Sequence, residues 1–292
     1  MATEGTYLAR LGARTAAIGT VLCVGIDPDP EALPAGFGRD VDGIERFARL
    51  LVDAAAPLAA AVKINLAFFE AYGSAGIGAL ERVRAAIPPG IPVIADAKRG
   101  DIGSTVARQA VALFDVLGAD AVTVSPYLGE GAIAPLLERV DRFAYVLCRT
   151  SNPGAGELQD LPVDGEPLWA RVARVAAGWG PGGTVGLVVG ATAPLELAKA
   201  REIAPGLAFL VPGVGAQGGD VGAVMEFGRA TADPASRRPG GGLLVSVSRG
   251  IAGAATDPDG QHSGAAGRPA RELERRLAEA AASWATRLPV LP

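Results

Sequence analysis

The stretch Ile91-Pro92-Val93-Ile94-Ala95-Asp96-Ala97-Lys98-Arg99-Gly100-Asp101-Ile102-Gly103-Ser104-Thr105 reads as an apolar strand that ends in charge and turns straight into a helix. Ile91 to Ala95 is apolar, and the Asp96-x-Lys98-x-x-Asp101 cluster follows at once. Surface charge runs rarely follow an apolar strand this closely. A solvated strand end with a helix-capping acid is the plain alternative, and the spacing argues against it. Residues two apart on a strand point to one side, so Asp96 and Lys98 share a face. Two carboxylates flanking one ammonium can hold a proton donor charged and aim it at a reacting carbon. Asp101 lies past the loop, in reach of another chain.

Working outward, the same unit recurs. Apolar runs at Thr20–Ile26, Ala61–Ile64, Pro92–Ala95, Ala121–Ser125, Ala144–Cys148, Val185–Val189, Ala208–Val211 and Leu243–Val247 are continuous rather than alternating, as in strands buried on both faces. Helical patterns separate them, at Gly43–Ala56, Phe69–Ala86, Ser104–Leu117, Gly131–Val140, Pro167–Trp179, Pro194–Ile203, Val221–Arg229 and Arg268–Trp284. Repeated βα units of this number predict an α/β fold, a (β/α)8 TIM barrel, with residues 1–292 forming a single domain. A doubly wound open sheet is the rival, but no Gly-x-Gly-x-x-Gly turn follows the first strand. Mobile loops are expected near 212–220, 233–242 and 252–267.

Composition removes several classes of function. The net charge of −4 gives no basic footprint, so no nucleic-acid partner is expected. No apolar run is long enough to span a membrane, and no signal-peptide pattern opens the chain, so a cytoplasmic protein without a membrane partner is expected. Cys23 and Cys148 sit in strand-like runs and read as buried free thiols. His262 is the single histidine and lies among Asp, Gly, Gln and Ser, which argues against a histidine metal site or a Ser-His triad.

A barrel of this kind builds its active site at the carboxyl ends of its strands. The polar residues there are Asp27 after strand one, Lys63 and Asn65 on strand two, and Asp96 and Lys98 after strand three, with Asp101 beyond. Ser125 ends strand four, Arg149-Thr150-Ser151-Asn152 ends strand five, and Gly190-Ala191-Thr192 follows strand six. Strand seven runs into Pro212-Gly213-Val214-Gly215-Ala216-Gln217, and strand eight into Ser248-Arg249-Gly250. The last two loops resemble an anion site, where glycines expose N–H groups and Arg249 supplies a fork of donors. Each residue also has a bland reading. Lys63 can reach solvent at the barrel rim, Asp27 can start the Pro28-Asp29-Pro30 turn, Asn65 can be a turn former, and Gly213-x-Gly215 can be a structural turn.

The stretch Asp96-Ala-Lys98-Arg-Gly-Asp101-Ile-Gly-Ser-Thr105 resembles the signature of orotidine 5'-phosphate decarboxylases. Val24-Gly25-Ile26-Asp27, Val62-Lys63-Ile64-Asn65-Leu66-Ala67-Phe68-Phe69-Glu70, Thr150-Ser151-Asn152-Pro153-Gly154, Pro212–Asp220 and Ser248-Arg249-Gly250-Ile251 are similar to the longer bacterial (type 2) branch of that family, in family order. The resemblance implies a homodimer of barrels with shared active sites. It implies conversion of orotidine 5'-monophosphate to UMP and CO2, the last step of de novo pyrimidine nucleotide synthesis, with no cofactor and no metal. By motif position, Lys63, Asp96 and Lys98 serve one subunit's site, while Asp101 and Thr105 reach into the partner's. Asp27 and Asn65 are placed on the substrate, with Asp27 at the ribose. Ser151 reads the pyrimidine, Gln217 bridges base and phosphate, and Arg249 with Gly250 holds the phosphate. The long loops at 233–242 and 252–267 depart from the shorter branch.

The chemistry fits. Loss of CO2 from C6 leaves a vinyl carbanion with little resonance help, and a fixed Lys98 ammonium offers both stabilising charge and the replacing proton. Two alternatives remain open on the residues. One is a metal-dependent phosphosugar decarboxylase or synthase on the same barrel; those relatives place an acid for Mg²⁺ where this chain has Lys63. The other is a catalytically dead barrel that binds nucleotide or acts as a scaffold.

Overall fold

A computed structural model of the chain describes residues 5–256 and 269–290. Residues 257–267 of the expected 252–267 loop, His262 among them, lie outside the described residues. Eight parallel strands close into a barrel: β1 (Leu22–Ile26), β2 (Ala61–Asn65), β3 (Val93–Arg99), β4 (Ala121–Val124), β5 (Phe143–Arg149), β6 (Val185–Val189), β7 (Ala208–Pro212) and β8 (Leu244–Val247). Each strand pairs with the next in sequence, and β8 closes on β1 with Val24 opposite Val247. The TIM-barrel expectation is therefore met, and the open sheet is not.

The strand period of two sorts side chains into two cores. Val24, Val62, Ile64, Val122 and Val245 point outward into the layer shared with the helices. Cys23, Ala61, Ile94, Ala121, Tyr145 and Leu244 point inward and fill the lower barrel. Two residues farther along those same strands, the inward positions become Lys63, Asp96, Thr123, Leu147 and Ser246, which line a cavity at the carboxyl end. Apolar filling below and a mostly polar lining above, with Leu147, Val188 and Leu210 as its apolar members, thus come from one alternation.

Among the helices are α1 (Tyr7–Ile18), α2 (Val41–Ala55), α3 (Gly73–Ala86), α4 (Gly103–Ala110), α5 (Ala134–Leu137), α6 (Leu168–Ala176), α7 (Pro194–Ile203), α8 (Val221–Phe227) and α9 (Ala270–Arg287), with further single turns at Ala67–Glu70, Gly156–Gln159 and Arg249–Ala252. Helix α4 continues into a π-helical stretch over Val111–Val116. Two expected helices are corrected. The Phe69–Ala86 pattern is a single turn at Ala67–Glu70 followed by α3, broken where Gly73 takes a φ of +60°. The Gly131–Val140 pattern shrinks to the one turn of α5.

Helix α1 was absent from the sequence expectation. Thr6 caps it, its Oγ1 accepting the Ala9 N–H at 3.3 Å, and Gly19 ends it in the left-handed region. Its buried face stoppers the amino-terminal mouth of the barrel. Tyr7 stacks on Phe143 with ring centroids 4.7 Å apart, and its hydroxyl meets that of Tyr145 at 3.1 Å. The segment 233–242 packs on the same end. A Cβ at Gly12 in α1 would stand 3.0 Å from the Arg238 Cβ, and Ala235 and Gly240–Gly242 are buried. Expected as a mobile loop, this segment precedes β8, so it belongs to the floor of the barrel, opposite the cavity.

Candidate active site

The cavity at the carboxyl end has a volume of about 460 Å³. Of the sequence-predicted residues, Asp27, Lys63, Asn65, Asp96, Lys98, Ser151, Gln217, Arg249 and Gly250 all line it. Asp101 and Thr105 do not.

One wall is a chain of alternating charge, Asp27–Lys63–Asp96–Lys98. Lys63 Nζ donates to Asp96 Oδ2 at 2.6 Å and lies 3.8 Å from Asp27 Oδ1. Lys98 Nζ donates to Asp96 Oδ1 at 2.7 Å. Asp27 Oδ1 is buried with no hydrogen-bond donor, so one strong acceptor at the cavity wall is unused. The Lys98 side chain is half exposed, while Lys63 and Asp96 are largely buried. The expectation that two acids flank Lys98 is only half met within one chain. The Asp101 carboxylate accepts the neighbouring Ile102 N–H at 2.7 Å and forms no ion pair with a described residue.

The charges lock each other. Burial works against a charged Lys63, but the carboxylates of Asp27 and Asp96 outweigh it and hold its pKa above the usual lysine range. Burial likewise works against a charged Asp96, and the ammonium groups of Lys63 and Lys98 overrule it, holding the carboxyl well below its usual range. A depressed acid contributes stability above its unfolded pKa of about 4, lost as pH falls through the folded value. A raised lysine contributes stability below about 10.4, lost as pH rises through its folded value. Lys63 and Asp96 therefore stay ionised together across the whole neutral range.

The strand carrying Asp96 and Lys98 is not regular, which corrects the simple same-face reading. Ala95 pairs with Val122 and Arg99 with Val124, so Asp96, Ala97 and Lys98 bulge opposite Thr123 alone. Lys98 takes a φ of +48°, rare for a side-chain-bearing residue. Thr123 was missed at the sequence level, where a threonine in Ala121-Val122-Thr123-Val124 reads as an ordinary β-branched strand residue. The one signal available was its inward parity with Ala121.

The opposite wall is built from backbone and glycine. Ser151 Oγ donates to Gln217 Oε1 at 3.2 Å, tying the β5 loop to the β7 loop. Gly213 has a φ of +102°, and a Cβ there would stand 3.1 Å from both the Ser151 Cβ and Gln217 Oε1. The β7 and β8 loops both rest on Trp284 of α9, whose Nε1 donates to the Gly250 carbonyl at 3.2 Å. Trp284 was another residue not foreseen. Arg249 forms no ion pair with a described residue, which leaves its guanidinium unspent at the cavity rim. On the other rim, Asn65 Oδ1 accepts the Ala67 N–H at 3.2 Å, so it is a turn former as well as a lining residue.

Comparison with known proteins gives the same picture. The family described as "Orotidine 5'-phosphate decarboxylase / HUMPS family" matches residues 20–262. The orotidine 5'-phosphate decarboxylase of Thermomicrobium roseum is 52% identical over 235 residues, 80% of this chain and 81% of that protein. That of Dechloromonas aromatica is 47% identical over 257 residues, covering 86% and 92%. The structure of Leishmania donovani OMP decarboxylase superposes with a TM-score of 0.75 at 36% identity, covering 94% of this chain and 99% of that one.

Proposed function

The chain belongs to the orotidine 5'-phosphate decarboxylase family, and from that premise we propose that its cavity converts orotidine 5'-monophosphate to UMP and CO2, the last step of de novo pyrimidine nucleotide synthesis. The observation that carries the assignment of roles is the Asp27–Lys63–Asp96–Lys98 charge chain at the carboxyl mouth of the barrel. The bond from C6 to the carboxylate breaks and its electron pair stays on C6. Lys98 Nζ stabilises that pair and gives C6 a proton, and water then reprotonates the amine. Asp96 orients Lys98, and Lys63 keeps Asp96 ionised. The unused acceptor on Asp27 suits a ribose hydroxyl, and Asn65 lies beside it on the rim. Ser151 and Gln217 face the pyrimidine, and Arg249 with the Gly250 N–H takes the phosphate. Phosphate binding far from C6 can then be expressed in the transition state. No cofactor or metal enters this reading. The test is the fall in orotidine 5'-monophosphate absorbance with UMP accumulating; unchanged substrate would end it.

We also infer a homodimer with shared sites, formed by a single-domain barrel. Support comes from Asp101, which contacts none of its own chain's site lysines, and from exposed apolar side chains on the adjoining loops, with Ile102 72% and Tyr127 85% exposed. In the dimer, Asp101 and Thr105 complete the partner's site. Both cysteines are buried and unpaired, which supports a cytoplasmic setting. Among the described residues no helix is long and apolar enough to cross a membrane.

A shared site has a measurable consequence. If Lys98→Ala and Asp101→Ala are each nearly inactive, unfolding, mixing and refolding them together restores one intact site in each mixed dimer. Random pairing makes half the dimers mixed, so activity recovers to roughly a quarter of wild type, because a two-fold interface exchanges the same patch on both chains. No recovery, with mixed dimers shown to form, would return Asp101 to its own chain's site.

A further inference from the structure

The bulge in β3 needs a reason to persist. Opposing three residues to one strands the N–H groups of Ala97 and Lys98 without strand partners, in a part-buried place where an unmet donor carries a cost. One side chain meets both. Thr123 Oγ1, at the buried inward position of β4, accepts the Ala97 N–H at 3.1 Å and the Lys98 N–H at 3.0 Å. Its own proton goes to Asp96 Oδ1 at 2.9 Å, the same oxygen that receives Lys98 Nζ at 2.7 Å. A single hydroxyl therefore holds the left-handed backbone of Lys98 and the carboxylate that orients the Lys98 ammonium.

We propose that Thr123 is a positioning residue of the decarboxylation, its hydroxyl fixing the β3 bulge so that Asp96 and Lys98 meet at the reacting carbon. This rests on the decarboxylase reading of the site. Valine keeps the shape of threonine and removes the hydroxyl; serine keeps the hydroxyl and drops a methyl. Thr123→Val should lower kcat by about a hundredfold, the scale of a misplacement near an ångström. KM and the Kd for UMP measured by calorimetry should stay within about threefold, because the phosphate and base contacts lie on other loops. Thr123→Ser should recover most of the lost kcat. Combined with Lys98→Ala, Thr123→Val should add almost nothing, since it acts through that lysine.

Contrary results are equally plain. A Thr123→Val protein with kcat within about threefold of wild type overturns the proposal. So does a fall in kcat matched by equal losses in KM and UMP affinity, or a serine variant no better than valine. If neither Thr123→Val nor Thr123→Ala folds by circular dichroism, Thr123 is a structural residue only and the proposal falls. A wild-type chain that binds UMP yet leaves orotidine 5'-monophosphate unchanged fails earlier and separately: it removes the decarboxylase reading itself.

Discussion

Lys98→Ala should leave a folded protein whose turnover of orotidine 5'-monophosphate falls by roughly ten-thousandfold, the upper range for a lost general acid. The fold should survive, because the Lys98 side chain is half exposed and ion pairs of that kind contribute about 0–1 kcal/mol. Asp96 would still receive Lys63 and Thr123. The loss should be in kcat, since the ammonium matters most once charge develops on C6. Steady-state assays beside circular dichroism check this. Turnover within about tenfold of wild type, a difference of only 1.4 kcal/mol, would remove Lys98 as the proton donor.

The second large effect is at the other end of the cavity. Arg249→Ala should lower kcat/KM by about 2–5 kcal/mol, the loss seen when one partner of a close charge pair is truncated, and KM should rise strongly. Arg249 has no carboxylate of its own among the described residues, so its removal leaves no orphaned acid behind. The comparison that isolates its role is orotidine, which lacks the phosphate: its turnover should be hurt far less. Equal losses for both substrates would mean that Arg249 does not touch the phosphate.

The barrel was legible because its strands are buried on both faces, so each appears as an unbroken apolar run such as Val185–Val189. Lys63, Asp96 and Lys98 stood out for the matching reason: several charges gathered at the ends of such runs outweigh the solvent-facing reading that each has alone. Helix α1 was not legible as a barrel element. Its apolar residues Tyr7, Leu8 and Leu11 gain meaning only when Phe143 and Tyr145, far away in sequence, offer them a floor. The segment 233–242 has the Pro, Gly and Arg content of a surface loop, and nothing local distinguishes a loop over the site from one beneath the barrel. The β3 bulge was hidden because its cause sits on β4. A register of three residues against one depends on a single hydroxyl across the sheet. Asp101 shows the limit of spacing as a guide: three residues from Lys98 along the chain, it forms no hydrogen bond or ion pair with that side chain, whose ammonium pairs with Asp96.

In the proposed reaction, paired lysines and aspartates remove CO2 from orotidine 5'-monophosphate with no bound metal. The carboxylate of Asp96 is already held by two ammonium groups, those of Lys63 and Lys98. The most direct measurement is the absorbance loss of orotidine 5'-monophosphate, with UMP identified as product, before and after exhaustive EDTA treatment. UMP should form at the same rate in both, with added Mg²⁺ changing nothing. Loss of turnover on chelation and its return with Mg²⁺, or no UMP under either condition, would contradict it.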